Sequence, residues 1–191
     1  MPGSERVTAI LAETIALHER VKQGDLAPVV DAAVVIIEAL SQDGRLLTFG
    51  NGGSAADAQH VSAELVGRFI RERRSLAAIA LTTDTSVLTS LGNDYSFDRV
   101  FARQIEGLGR RGDVALGIST SGRSLNVIEA FKTARLLGLR TIALTGGDGG
   151  AIGSMVEIHV NVPSTSTPRV QEVHRTLLHV MCELVEAAFL E

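Results

Sequence analysis

Tryptophan is absent from the 191 residues, tyrosine occurs once, and aromatic residues make up only 4% of the chain. With hydrophobic residues at 45%, the core must be built from Ala, Val, Leu and Ile. That mixture suits helices packed on a buried parallel sheet. Cysteine occurs once, as Cys182. A disulfide framework is therefore excluded, and a reduced, cytoplasmic setting is expected. Cys182 lies in an apolar helical pattern and reads as a core residue. Basic residues are not in excess, since the formal charge is −4; this argues against nucleic acid as the main partner. No apolar run is long enough to span a membrane. Residues 1–5 lead into a charged amphipathic helix rather than the apolar stretch of a secretion signal. The length fits one compact domain.

Two helical patterns come first, at about 5–23 and 27–41, with apolar residues recurring at three and four. No strand follows them until residue 45, so residues 1–42 read as a helical pair that packs against something else, a partner subunit being the natural candidate. Residues 43–191 then alternate strands and helices. Strands are expected at 45–50, 77–81, 113–118, 140–145 and 157–162. Helices are expected at about 54–70, 84–91, 97–107, 123–137 and 168–190. Short, continuously apolar strands fit a parallel sheet covered on both faces. The fold class is α/β, a doubly wound parallel sheet of five strands with an N-terminal helical pair.

Ligands in such sheets bind where the strands end. The loop after the third strand, Ser119-Thr120-Ser121-Gly122-Arg123-Ser124, sets four hydroxyls at the start of a helix. Helix N-termini carry unpaired N–H donors and partial positive charge, so added hydroxyls make a phosphate cradle. Capping alone needs one such residue. The loop after the first strand, Asn51-Gly52-Gly53-Ser54, is a second close-approach candidate, with a plain tight turn as the alternative. The glycine-rich run at 146–150 reads as a flexible turn. Neither of the first two loops has the GxGxxG or Walker lysine pattern, which argues against a dinucleotide or ATP site.

His60 and Glu64 are four residues apart, about 400° of helix, so they stack on one face. In the last helix Gln171 and His179 are about 80° apart in projection, and His174 points about 140° away from His179. Periodicity alone does not bring the two helices together. His18 and His159 read as structural.

With these residues in place, three blocks resemble the phosphoheptose isomerases of the sugar isomerase (SIS) family: residues 50–69, 78–127 and 169–186. The first and last are the specific ones; Ser119-Thr120-Ser121-Gly122 alone marks only the wider phosphosugar-binding group. The resemblance implies the SIS fold with flavodoxin-like strand order, and a cytoplasmic homotetramer with the N-terminal helices at subunit interfaces. It implies isomerisation of sedoheptulose 7-phosphate, a phosphorylated seven-carbon sugar. It implies one zinc per subunit, with ligands matching His60, Glu64, Gln171 and His179. Substrate contacts match Asn51, Gly52, Gly53, Glu64, Asn93, Asp94, Ser119, Thr120, Ser121, Ser124 and Gln171.

A ketose–aldose interconversion moves a proton between C1 and C2 and needs a base over those carbons and an acid near the oxygen. Glu64 is assigned the proton shuttle and His179 the partner acid–base, with Asp94 as an alternative base. Zinc as a Lewis acid polarises the carbonyl, although a carboxylate held on zinc is a poorer base. Two positions depart from the commoner pattern. Arg74-Ser75 stands where Arg-Pro is usual, and Arg123 where Asn or Lys is frequent. The first affects loop stiffness; the second adds charge beside the phosphate loop. The main rival is a non-catalytic tetrameric regulator that binds the replication initiator DnaA, but that relative lacks the residues matching Glu64 and His179. A third reading is a different phosphosugar isomerase on the same fold.

Overall fold

The computed structural model describes residues 3–190, so Met1, Pro2 and Glu191 at the ends of the expected segments lie outside it. Helices α1 (Gly3–Lys22) and α2 (Ala27–Ser41) precede β1 (Leu46–Gly50). Then come α3 (Gly53–Val66), β2 (Ala78–Ala80), α4 (Thr85–Asp94), a 3-10 turn at Phe97–Arg99 and α5 (Ala102–Leu108). The remainder is β3 (Val114–Ser119), α6 (Leu125–Leu137), β4 (Arg140–Gly146), α7 (Gly150–Gly153), β5 (Ile158–Val162) and α8 (Thr167–Ala188).

All five strands are parallel, in the order β2-β1-β3-β4-β5. Every residue of β1 and β3 is buried, which is why these strands are mostly apolar rather than alternating; the Thr48 hydroxyl is satisfied by Ala58 O at 2.8 Å. Successive side chains still go to opposite faces. Leu46, Leu116, Ile142 and Leu144 face a layer formed by α2, α3 and α8. Leu47, Phe49, Ala115 and Ala143 face the opposite layer, with α5 and α6. The N-terminal pair is not detached, since α1 packs on α8 and α2 packs on α8 and β5. His18 fits its structural reading: its ring bonds Thr14 O and the Thr176 hydroxyl of α8.

Three segments differ from expectation. Helix α3 stops at Val66, not near residue 70, because Gly67 caps it and the N–H groups of Phe69, Ile70 and Arg71 turn to the Glu186 carboxylate at 2.8, 2.9 and 2.9 Å. The segment expected as one helix at 97–107 breaks after its first turn into the 3-10 turn and α5. The 146–150 run is no loose turn. A Cβ on Gly122 would lie 2.0 Å from Gly149 O, and one on Gly150 would lie 2.3 Å from Gly122 O. Both glycines have positive φ, 62° and 55°, so neither position suits a side chain. The two loops interlock through bare backbone, and Ile152 N–H donates to Gly122 O at 3.1 Å.

Candidate active site

Helices α3 and α8 run parallel along one seam. Gln171 lies over Gly53, Arg175 meets Asp57, and His179 meets His60, in the same order along both helices. The chemistry-bearing contact is the third. The Nε2 atoms of His60 and His179 are 2.7 Å apart, one ring donating and the other accepting. Glu64 Oε1 is 3.4 Å from His60 Nε2. The His60 and Glu64 side chains are 34% and 21% exposed, so the group is half-buried yet open to a ligand. The Phe69 ring packs on His179 with centroids 5.4 Å apart.

Gln171 does not join these three side chains. Its amide rests on the start of α3, where a Cβ on Gly53 would lie 2.6 Å from Nε2. Only glycine admits the amide there. Between Gln171 and His179 the Arg175 guanidinium donates twice to Asp57 Oδ1, at 3.0 and 2.5 Å.

Two ligand atoms on one tetrahedral zinc, at usual bond lengths, lie about 3.3 Å apart. The Glu64–His60 separation of 3.4 Å already has that spacing. The His60–His179 contact of 2.7 Å is a hydrogen bond and must open by roughly 0.6 Å to admit the ion. Among the described residues no group of three or more His, Cys, Asp or Glu side chains is spaced to hold a metal as it stands. The residue types fit zinc; His60, Glu64 and His179 approach its spacing after that one adjustment, and Gln171 would also have to leave its place over Gly53.

The hydroxyl loop sits at the start of α6. Ser124 occupies the N-cap position but makes no capping bond; its hydroxyl meets that of Ser119 at 3.0 Å. Capping therefore does not explain this serine. Thr120 and Ser121 line a cleft of about 420 Å³ together with Arg123, Asp148, Thr165 and Thr167. Arg123 is already paired. Its Nη1 and Nη2 donate to Asp148 Oδ1 and Oδ2 at 3.0 and 2.7 Å. That contact, and then the Gly150 N–H, hold the Asp148 carboxyl down at about 2.

Asn51 is held by a reciprocal amide pair with Asn126, at 2.9 and 2.8 Å. Gly52 is the exposed N-cap of α3, with φ of 57°. Asn93 and Asp94 stand apart: both are exposed at the end of α4, where the Asn93 amide donates to Asp94 Oδ1 at 2.9 Å.

Sequence reasoning missed several supports. Asn126 is 3% exposed; a polar residue just inside an apolar helix was its only signal. Arg73, with a side chain 0% exposed, donates to the carbonyls of Glu64, Leu65, Gly67 and Arg74 and lies 3.7 Å from Glu186. It closes the C-terminus of α3 beneath Glu64. Burial works to raise the Glu186 carboxyl, but three backbone N–H donors and Arg73 outweigh it and hold the group below the ordinary range. His159 is also structural: its Nε2 bonds the Thr145 hydroxyl at 2.6 Å, and burial lowers its pKa. Cys182 is buried in the core, its thiol pushed up to about 12 mainly by burial.

The family model for the SIS domain matches residues 10–146. The phosphoheptose isomerase of Neisseria gonorrhoeae strain NCCP11945 is 52% identical over 190 residues, 98% of this chain and 96% of that protein. The solved phosphoheptose isomerase of Neisseria gonorrhoeae superposes with a TM-score of 0.92 at 49% identity, covering 96% of this chain and 98% of that one. That of Francisella tularensis superposes at 0.94 with 34% identity, covering 98% and 100%. The chain therefore belongs to the phosphoheptose isomerase family of SIS-domain proteins.

Proposed function

We propose that this chain interconverts sedoheptulose 7-phosphate and D-glycero-D-manno-heptose 7-phosphate, the first step towards nucleotide-activated heptose. The observation that carries the reading is the meeting of Glu64, His60 and His179 across the α3–α8 seam. It supplies a carboxylate and two imidazoles at one half-buried spot, as an enediol mechanism requires. The hydroxyls at 119–124 and the open N-terminus of α6 hold the phosphate. Glu64 takes the proton from one of C1 and C2 and returns it to the other. His179 gives and recovers the proton on the adjacent oxygen, and Phe69 fixes the plane of its ring. Asn51, Gly52, Gly53 and Gln171 contact the sugar. Zinc held by His60, Glu64, Gln171 and His179, one per subunit, supplies Lewis-acid polarisation of the carbonyl when bound.

A homotetramer is part of this proposal. Val7, Leu11 and Ile15 form an exposed apolar stripe on α1, each more than half exposed, and Val30, Val34, Val180 and Leu184 add to it on α2 and α8. Such a stripe is expected to be covered. No helix among the described residues is long and apolar enough to cross a membrane, and a cytoplasmic location is proposed on that and the reduced Cys182.

The test is turnover of sedoheptulose 7-phosphate by purified protein, with the zinc content measured before and after a chelator. Wild type that makes no product refutes the assignment. Glu64→Gln is expected to lose about a thousandfold or more in kcat, as removal of a general base does; full activity in that variant refutes Glu64 as the base.

A further inference from the structure

We propose that the Arg123–Asp148 pair is an exchangeable clasp at the phosphate end of the site, in which the Arg123 guanidinium leaves Asp148 for the incoming phosphate. The inference rests on the phosphosugar reading and adds a residue to it. In the free chain Asp148 occupies the guanidinium fork in the two-pronged geometry that a phosphate also takes. Both side chains line the cleft that holds Thr120 and Ser121.

Three observations favour exchange over a fixed tie. First, the loops that carry Arg123 and Asp148 are already joined by the Gly122–Gly149 and Gly122–Gly150 backbone contacts and by the Ile152-to-Gly122 hydrogen bond. The ion pair is not needed to hold them together. Second, the two side chains are 60% and 69% exposed. Water screens such a pair, so separating its members is cheap. Third, the second anchors differ in kind. Asp148 Oδ1 accepts the Gly150 N–H at 3.0 Å within its own loop, whereas Arg123 Nη1 donates to Ser121 O at 3.0 Å, which keeps the guanidinium beside the hydroxyl loop that takes the phosphate. Arg123 is also the longer side chain, so it is the one that moves. A phosphate monoester carries a charge of about −1.5 to −2 at neutral pH against −1 for the carboxylate, which favours the exchange.

The probe is inorganic phosphate, titrated calorimetrically at fixed low ionic strength into wild type, Arg123→Ala, Asp148→Asn and the double variant. Asn at 148 keeps an oxygen for the Gly150 N–H but removes the second carboxylate oxygen, freeing the guanidinium. Asp148→Asn is expected to bind phosphate several-fold more tightly. Arg123→Ala is expected to bind about tenfold more weakly, the loss of one charge-assisted two-pronged contact. Most of the Asp148→Asn gain disappears in the double variant. A fixed structural tie predicts that both single variants weaken binding, and that result overturns the proposal. So does a gain that survives undiminished without Arg123, or the absence of phosphate binding in all four proteins. A wild type that shows the expected phosphate order but does not turn over sedoheptulose 7-phosphate keeps the clasp and sinks only the isomerase reading.

Discussion

Glu186→Gln is the most informative single change away from the proposed reacting groups. Oε2 of Glu186 accepts the N–H groups of Ile70 and Arg71, while Oε1 accepts that of Phe69 and faces Arg73 Nε at 3.7 Å. Glutamine keeps one oxygen, best used on Ile70 and Arg71. Its NH2 then faces two donors. The Phe69 bond is lost, and the Arg73 guanidinium loses its counter-charge while its side chain is fully buried. Breaking a buried charge pair costs about 3–5 kcal/mol. Arg73 retains four carbonyl acceptors, which argues for the lower end, about 3 kcal/mol. For a chain of this size that lowers Tm by about 6–12 °C. Calorimetry at one fixed protein concentration measures it, since the proposed assembly would make Tm concentration-dependent. Phe69 rests on His179 and Arg73 holds the Glu64 carbonyl, so kcat is expected to fall further than KM rises. The pH dependence has a definite sign. The folded carboxyl lies below its ordinary value of 4.5, so the unfolded chain takes the proton first. The wild-type advantage over the variant is full above about pH 4.5 and is lost as pH falls through the folded value. A Tm within about 1 °C of wild type, the range of a neutral surface change, would falsify the clamp.

Gly117→Ala is expected to cost about 1–3 kcal/mol by overpacking, because its Cβ would lie 2.6 Å from the Phe131 ring and 2.7 Å from that of Phe49; urea unfolding reads this directly. His174 is fully buried and donates from Nε2 to Thr145 O at 2.9 Å, and burial holds its pKa below 6.5. The unfolded chain therefore binds that proton first, so stability should decline as pH falls below about 6.5. His174→Gln keeps a donor for Thr145 and should flatten the decline; an unchanged slope in urea unfolding at pH 7.5 and 5.5 removes His174 as its source.

The central strands were legible because burial on both faces keeps them mostly apolar, and the polar residues within them, such as Thr48 and Thr145, are small hydroxyls bonded locally. The hydroxyl loop was legible because four side chains of one chemistry exceed what capping uses. His60 and Glu64 were legible as a pair through helical spacing, but their meeting with His179 is a matter of how α3 and α8 pack, which spacing does not encode. The Glu186 clamp was hidden for another reason. Its acceptor lies 117 residues from Phe69, and its donors are backbone groups common to every residue, so neither end has a side-chain signature. Arg123 was read as free charge for the phosphate; its partner Asp148 lay in a run whose glycines suggested looseness, whereas they permit close backbone contact.

The parallel seam between α3 and α8 also orders events during synthesis. His60 and His179 are 119 residues apart, which at ribosomal speeds of 5–20 residues per second is about 6–24 seconds of translation. Early in that interval β1 and α3 are complete, and β3 follows, but the apolar face bearing Leu46 and then Leu116 lacks Leu178, Met181 and Val185 of α8, which cover it in the finished fold. The helix that completes the reacting cluster is the same one that seals the sheet. A chain interrupted before α8 therefore yields a sticky, inactive product, and catalytic competence in a nascent chain reports that the core has closed.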